Sequence, residues 1–131
     1  MSLEIFNKKN NKVQLDYYKQ ILENFSKQCN NNTILNEHQK LKLDNYINRA
    51  INYCNTRKYI VYPNIKWKRD KNVLSTVEQL KIYKDCFEYI NTLIKQIHSD
   101  PLLSLKCKRE LTDYLGCIHC HLRGKLNRKL N

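Results

Sequence analysis

From Val77 to Ile97, apolar residues recur at every third or fourth position: Val77, Leu80, Tyr83, Phe87, Ile90, Ile94 and Ile97. A repeat near 3.6 residues places them along one side of an α-helix, and the run is too long for a strand. Ser75-Thr76-Val77-Glu78, just ahead of it, reads as a capping box. A helix with so regular an apolar stripe needs other helices or a sheet to cover it.

The rest of the chain supplies helices. Leu15, Tyr18, Leu22 and Phe25 carry the same spacing within Val13–Cys29, and Asn30-Asn31-Asn32 ends that segment because Asn favours turns. Leu43, Ile47, Ala50, Ile51 and Cys54 form a stripe within Glu37–Cys54, with Asn36 placed to cap it and Gln39 at the box position. After Ser99, Asp100 is placed to cap and Pro101 to occupy the first turn of a fourth helix. Leu103, Cys107, Leu111, Leu115, Ile118 and Leu122 continue the helical period there, with Gly116 as a place where the helix could break. The short Ser99-Asp100 joint predicts an antiparallel hairpin of the last two helices.

The expected fold is therefore mainly α. It is one domain over residues 1–131, with about four helices and a short extended or β-hairpin insertion near Tyr59–Lys68. Only two of the 131 residues are glycine. No GxGxxG or GxxxxGK[ST] run exists, which excludes the common nucleotide-binding loops, and turn-rich sandwiches and barrels are disfavoured. No 18-residue apolar run and no signal-like start occur, which predicts a cytosolic or nuclear protein with reduced cysteines and no membrane contact. Lys, Asn, Ile and Tyr dominate while Ala occurs once, the composition expected of an A/T-rich genome such as that of a large virus, a parasite or an organelle.

The formal net charge is +12. Residues 38–73 hold nine Lys/Arg against two Asp/Glu, and residues 99–131 hold seven against three. Residues 74–98 balance at three of each, which marks the third helix as a packing element. Within the basic-aromatic insertion 57–73, Arg57, Lys58, Lys66, Lys68, Arg69 and Lys71 interleave with Tyr59, Tyr62 and Trp67. Cations that displace counterions from phosphates, beside rings that stack on bases, suit nucleic acid. The arm 123–131 adds Arg123, Lys125, Arg128 and Lys129. A solvated basic face that docks on an acidic protein has the same composition, with Trp67 as its anchor.

The densest chemistry is Gly116-Cys117-Ile118-His119-Cys120-His121. On a helix, Cys117, Cys120 and His121 share a face, a partial zinc site. Cys86 of the third helix falls near the same level of the predicted hairpin and is the preferred fourth ligand, with Cys54 next. Reduced cysteines also pack as small hydrophobes, and that plainer reading competes. Cys117–His121 spells CxxCH as well, the c-type haem pattern, and a CxxC can be a redox pair.

No catalytic signature is present, so a binding protein is expected rather than an enzyme. The favoured function is a small accessory nucleic-acid-binding protein (RNA or DNA) of low sequence specificity, with zinc as a possible structural cofactor. The alternative is a helical interaction module or subunit; a haem or redox protein ranks below both.

Overall fold

The computed structural model describes the backbone of residues 3–62 and 75–127, with side chains from residue 10 onward. It contains four helices: α1 (Leu3–Asn30), α2 (Glu37–Thr56), α3 (Val77–His98) and α4 (Leu105–Asn127). The first begins ten residues before the start suggested by its apolar stripe.

Helix ends follow side-chain chemistry. The Asn32 side chain accepts from the backbone N–H groups of Ile34 (2.8 Å) and Leu35 (3.0 Å), so the chain turns and drives Leu35 into the core. At α2, Asn36 and Gln39 form the expected reciprocal capping box. At α3 the box lies one residue later than Ser75 and Glu78 suggest: Thr76 caps and Gln79 reaches back. Gln79 wins because it is buried and its amide also donates to the Ile34 carbonyl (3.1 Å), whereas Glu78 faces solvent.

Helix four also starts later than Asp100-Pro101 implies. The Asp100 carboxylate is turned toward α1, where it accepts from the Tyr18 hydroxyl and from Gln14 Nε2 (2.6 Å), and it takes the Leu102 N–H (2.9 Å) besides. Ser104 therefore opens α4, with its hydroxyl accepting from the Cys107 N–H (3.3 Å). Gly116 lies inside a continuous helix and does not break it.

The directions of the helices can be read from cross-contacts. Gln39 donates to Gln79 (3.3 Å), so α2 and α3 begin at the same end and run parallel. Tyr53, late in α2, donates to Glu110, early in α4 (3.4 Å), so those two are antiparallel. Asn11 donates to Ser104 (3.2 Å), bringing the starts of α1 and α4 together. Phe25 stacks on Tyr89 (5.0 Å, 8°) and Gln96 donates to Tyr17 (3.5 Å), setting α1 antiparallel to α3. The order is up-down-down-up, and α1–α2, α2–α4 and α3–α4 are the main packed pairs.

The expected stripes line one continuous core. Leu15, Tyr18, Leu22, Leu43, Ile47, Ile90, Ile97, Leu111, Leu115, Ile118 and Leu122 are all buried. Each such Leu or Ile contributes about 1.5–3 kcal/mol by leaving water. Ile51, Leu80, Phe87 and Ile94 are half-buried, and Val77, as the first residue of α3, stands 73% exposed.

The predicted β-hairpin does not appear. No strand occurs among the described residues, and Tyr59–Tyr62 is extended chain laid over α4. Ile60 exchanges both backbone hydrogen bonds with a side chain, Tyr114, in place of a second strand. Residues 63–68, the expected return strand, lie outside the described residues.

Candidate functional site

The site forms where α2 ends and the connection to α3 begins. Arg57 adopts a left-handed backbone (φ 57°) and donates its N–H to the Tyr53 carbonyl (2.7 Å), which stops α2 and turns the chain toward α4. The Tyr114 hydroxyl then accepts from the Ile60 N–H (2.7 Å) and donates to the Ile60 carbonyl (2.8 Å). Burial holds this phenol above its ordinary pKa, which keeps the donated proton in place.

Aromatic rings gather around that contact. Tyr114 packs between Tyr53 (5.6 Å between centroids) and Tyr59 (5.3 Å), with Tyr62 edge-on at 6.1 Å. On α2, Tyr46 and Arg49 are one turn apart on the same face. The Arg49 guanidinium lies over the Tyr62 ring (4.5 Å) and near Tyr46 (5.1 Å), so it bridges the helix and the segment 57–62, a strap across α4. His121 of α4 packs against Tyr46 (5.1 Å between ring centroids). The Tyr59 hydroxyl donates to Asp113.

Apart from Tyr53, which is buried in the core, these groups wall an open cleft of about 480 Å³, into which Cys117 and Cys120 also face. That volume lies within the ~300–1,000 Å³ range of small-ligand sites. Arg49 and Asp113 supply one cation and one anion inside it, while Arg57 and Lys58 stand exposed on the strap. Val61, 83% exposed, gives the strap an apolar tip.

The sequence-predicted residues separate into groups. Arg57, Lys58, Tyr59 and Tyr62 belong to the strap, with Tyr59 and Tyr62 in the cleft wall. Arg123 and Lys125 lie in the last turns of α4, where Arg123 lowers the pKa of His119 in addition to the effect of burial. Lys66, Trp67, Lys68, Arg69, Lys71, Arg128 and Lys129 lie outside the described residues.

The four-residue zinc set is not brought together. Cys117, Cys120 and His121 line the same cleft. Cys86 is level with them but faces α1, where it hydrogen-bonds with Cys29 in a buried thiol pair. That bond, with burial, holds the Cys29 thiol far above its ordinary range. Cys54, the second choice, is buried beside Cys107, and burial pushes its thiol up to about 12. Among the described residues, no three His, Cys, Asp or Glu side chains are grouped to hold a metal ion. All six cysteines are free thiols. The CxxC sits in the second half of α4, away from any helix start of the thioredoxin kind.

Several residues of the site were not singled out in the sequence: Tyr46, Arg49, Asp113 and Tyr114. Tyr114 precedes stripe residue Leu115, so it reads as a flank position. The i, i+3 pair Tyr46–Arg49 was the usable signal.

No protein family, curated protein or solved structure matches this chain. Among the described residues no helix is long and apolar enough to cross a membrane.

Proposed function

We propose that this protein binds nucleic acid, RNA or DNA, with low sequence specificity, through the face built from the α2 terminus, the strap and α4. The observation that carries this reading is Arg49, which is stacked against Tyr62 and Tyr46 in the wall of a cleft whose strap also bears Arg57 and Lys58. Phosphates gain from the cations by counterion release, and bases gain from the ring faces. The test is the affinity for a fluorescent oligonucleotide as salt rises. It should fall steeply, and the paired reversal Arg57→Glu/Lys58→Glu should weaken binding and flatten the slope. Affinity indifferent to salt would refute the reading.

A second reading has its own observation. Ile60 and Val61 are exposed apolar residues on the same strap. They suit an acidic protein partner with an apolar seat for Val61, the strap acting as a peptide-like epitope. In that case Val61→Asp abolishes complex formation, and nucleic acid does not bind at any salt.

A further inference from the structure

We propose that the cleft is a site for one unpaired nucleobase that carries an exocyclic amine, held while its strand runs along the strap. This rests on the nucleic-acid reading above and names what occupies the cleft.

Three observations point to such a ligand. The first is size and shape: an open cleft of about 480 Å³ takes a base and its sugar but not a base pair within a duplex. The second is the wall. Tyr59 is 44% exposed and Tyr62 carries the Arg49 guanidinium, so the cleft offers a ring face beside a planar cation. Both are surfaces on which an unstacked base packs.

The third is Asp113. Its carboxylate lines the cleft, and the Tyr59 hydroxyl donates to its Oδ2. A carboxylate in the wall of a base-sized cleft can accept from an amine N–H, the pairing by which carboxylates select cytosine over thymine. The cation and the anion neutralise each other inside the cleft, so the phosphates belong outside it, with Arg57 and Lys58 of the strap.

The structure also supplies a built-in reporter. Cys117 and Cys120 line the cleft and are exposed, whereas Cys29, Cys54, Cys86 and Cys107 are buried. A base in the cleft shields the first two thiols, and the other four are buried in any case.

The test uses the full chain at low salt and pH 8 with three probes: oligo-dC, oligo-dT and the oligo-dC·oligo-dG duplex, each twelve nucleotides long. Binding is read by fluorescence anisotropy, and iodoacetamide labelling of Cys117 and Cys120 by mass spectrometry. Oligo-dC should slow labelling of both thiols at least fivefold, and the bound duplex should leave it unchanged. Oligo-dC should bind at least threefold tighter than oligo-dT, and Asp113→Asn should erase that difference. Tyr59→Ala, at an exposed position, should weaken oligo-dC at least fivefold. Binding of oligo-dC with the thiols labelled at the free rate would place the strand elsewhere and overturn the cleft assignment. So would equal protection by strand and duplex; in either case the general nucleic-acid reading stands. If none of the three probes binds at low salt, the general reading fails and the cleft assignment fails with it.

Discussion

Tyr114 grips Ile60 from both sides of one peptide plane pair: its hydroxyl accepts from the Ile60 N–H at 2.7 Å and donates to the Ile60 carbonyl at 2.8 Å. A single phenol thus does for this residue what a neighbouring strand would do in a sheet. Tyr114→Phe keeps the ring among Tyr53, Tyr59 and Tyr62 and removes only the hydroxyl. The two lost bonds should cost the strap about 1–3 kcal/mol of local stability. Amide hydrogen exchange at Ile60 should accelerate sharply, while core amides of α3 hardly change.

Asp100 ties the α3–α4 turn to α1 through Tyr18 and Gln14. Burial by itself raises its pKa, but the bonds from Tyr18, Gln14 and the Leu102 N–H outweigh burial and hold it below the usual carboxylate value. The folded state therefore binds this proton less readily than the unfolded chain. Its contribution is complete above the ordinary value of about 3.9 and is lost as pH falls through the lower folded value. Tyr18→Phe should cost about 1.5–3 kcal/mol near pH 7. The difference from wild type should shrink toward pH 2.5. Urea midpoints at the two pH values measure this, and an equal loss at both would exclude a charge-assisted bond.

Two backbone positions hold the less suitable residue. Gly116 lies inside α4, and a Cβ built there meets nothing within 4 Å. Gly116→Ala should stabilise the protein by roughly 1 kcal/mol. Arg57 holds a left-handed backbone that favours glycine. Arg57→Gly should therefore gain up to about 1 kcal/mol of the steric cost of that conformation, at the expense of one cation on the strap. Thermal melts of both variants test these signs.

The six thiols should divide into two classes. Cys117 and Cys120 should label in the native protein, and Cys29, Cys54, Cys86 and Cys107 only after unfolding in urea. Cys117 should react more slowly than a freely solvated thiol near pH 7.5. Burial first, then Asp113 and Cys120, raises its pKa against the opposing pull of Arg49. Mass spectrometry of timed labelling resolves the classes.

The helices were legible because their stripes, Asn36–Gln39 box and Asn-rich turn are local signals. The later start of α4 was not, because Asp100 is claimed by Tyr18, which lies 82 residues away in sequence. Of the extended and hairpin forms expected for the strap, the hairpin failed for a similar reason. Tyr59-Ile60-Val61-Tyr62 has strand chemistry, but its hydrogen-bond partner is a side chain on a helix, 54 residues on. Cys86 shows the limit of axial reasoning: the rise per residue put it level with Cys117, but only packing decides which way around the helix it faces, and Cys29 lies there.

The up-down-down-up order has an electrostatic consequence. At the end of the bundle where α2 and α3 start, α1 and α4 finish, so each positive helix terminus stands beside a negative one. Helix macrodipoles amount to roughly half a charge at each terminus. In this arrangement they cancel in pairs and leave the bundle with almost no axial field. The field around the protein must then come from side-chain charge, so relocating a few lysines and arginines would reshape it without disturbing a single helix.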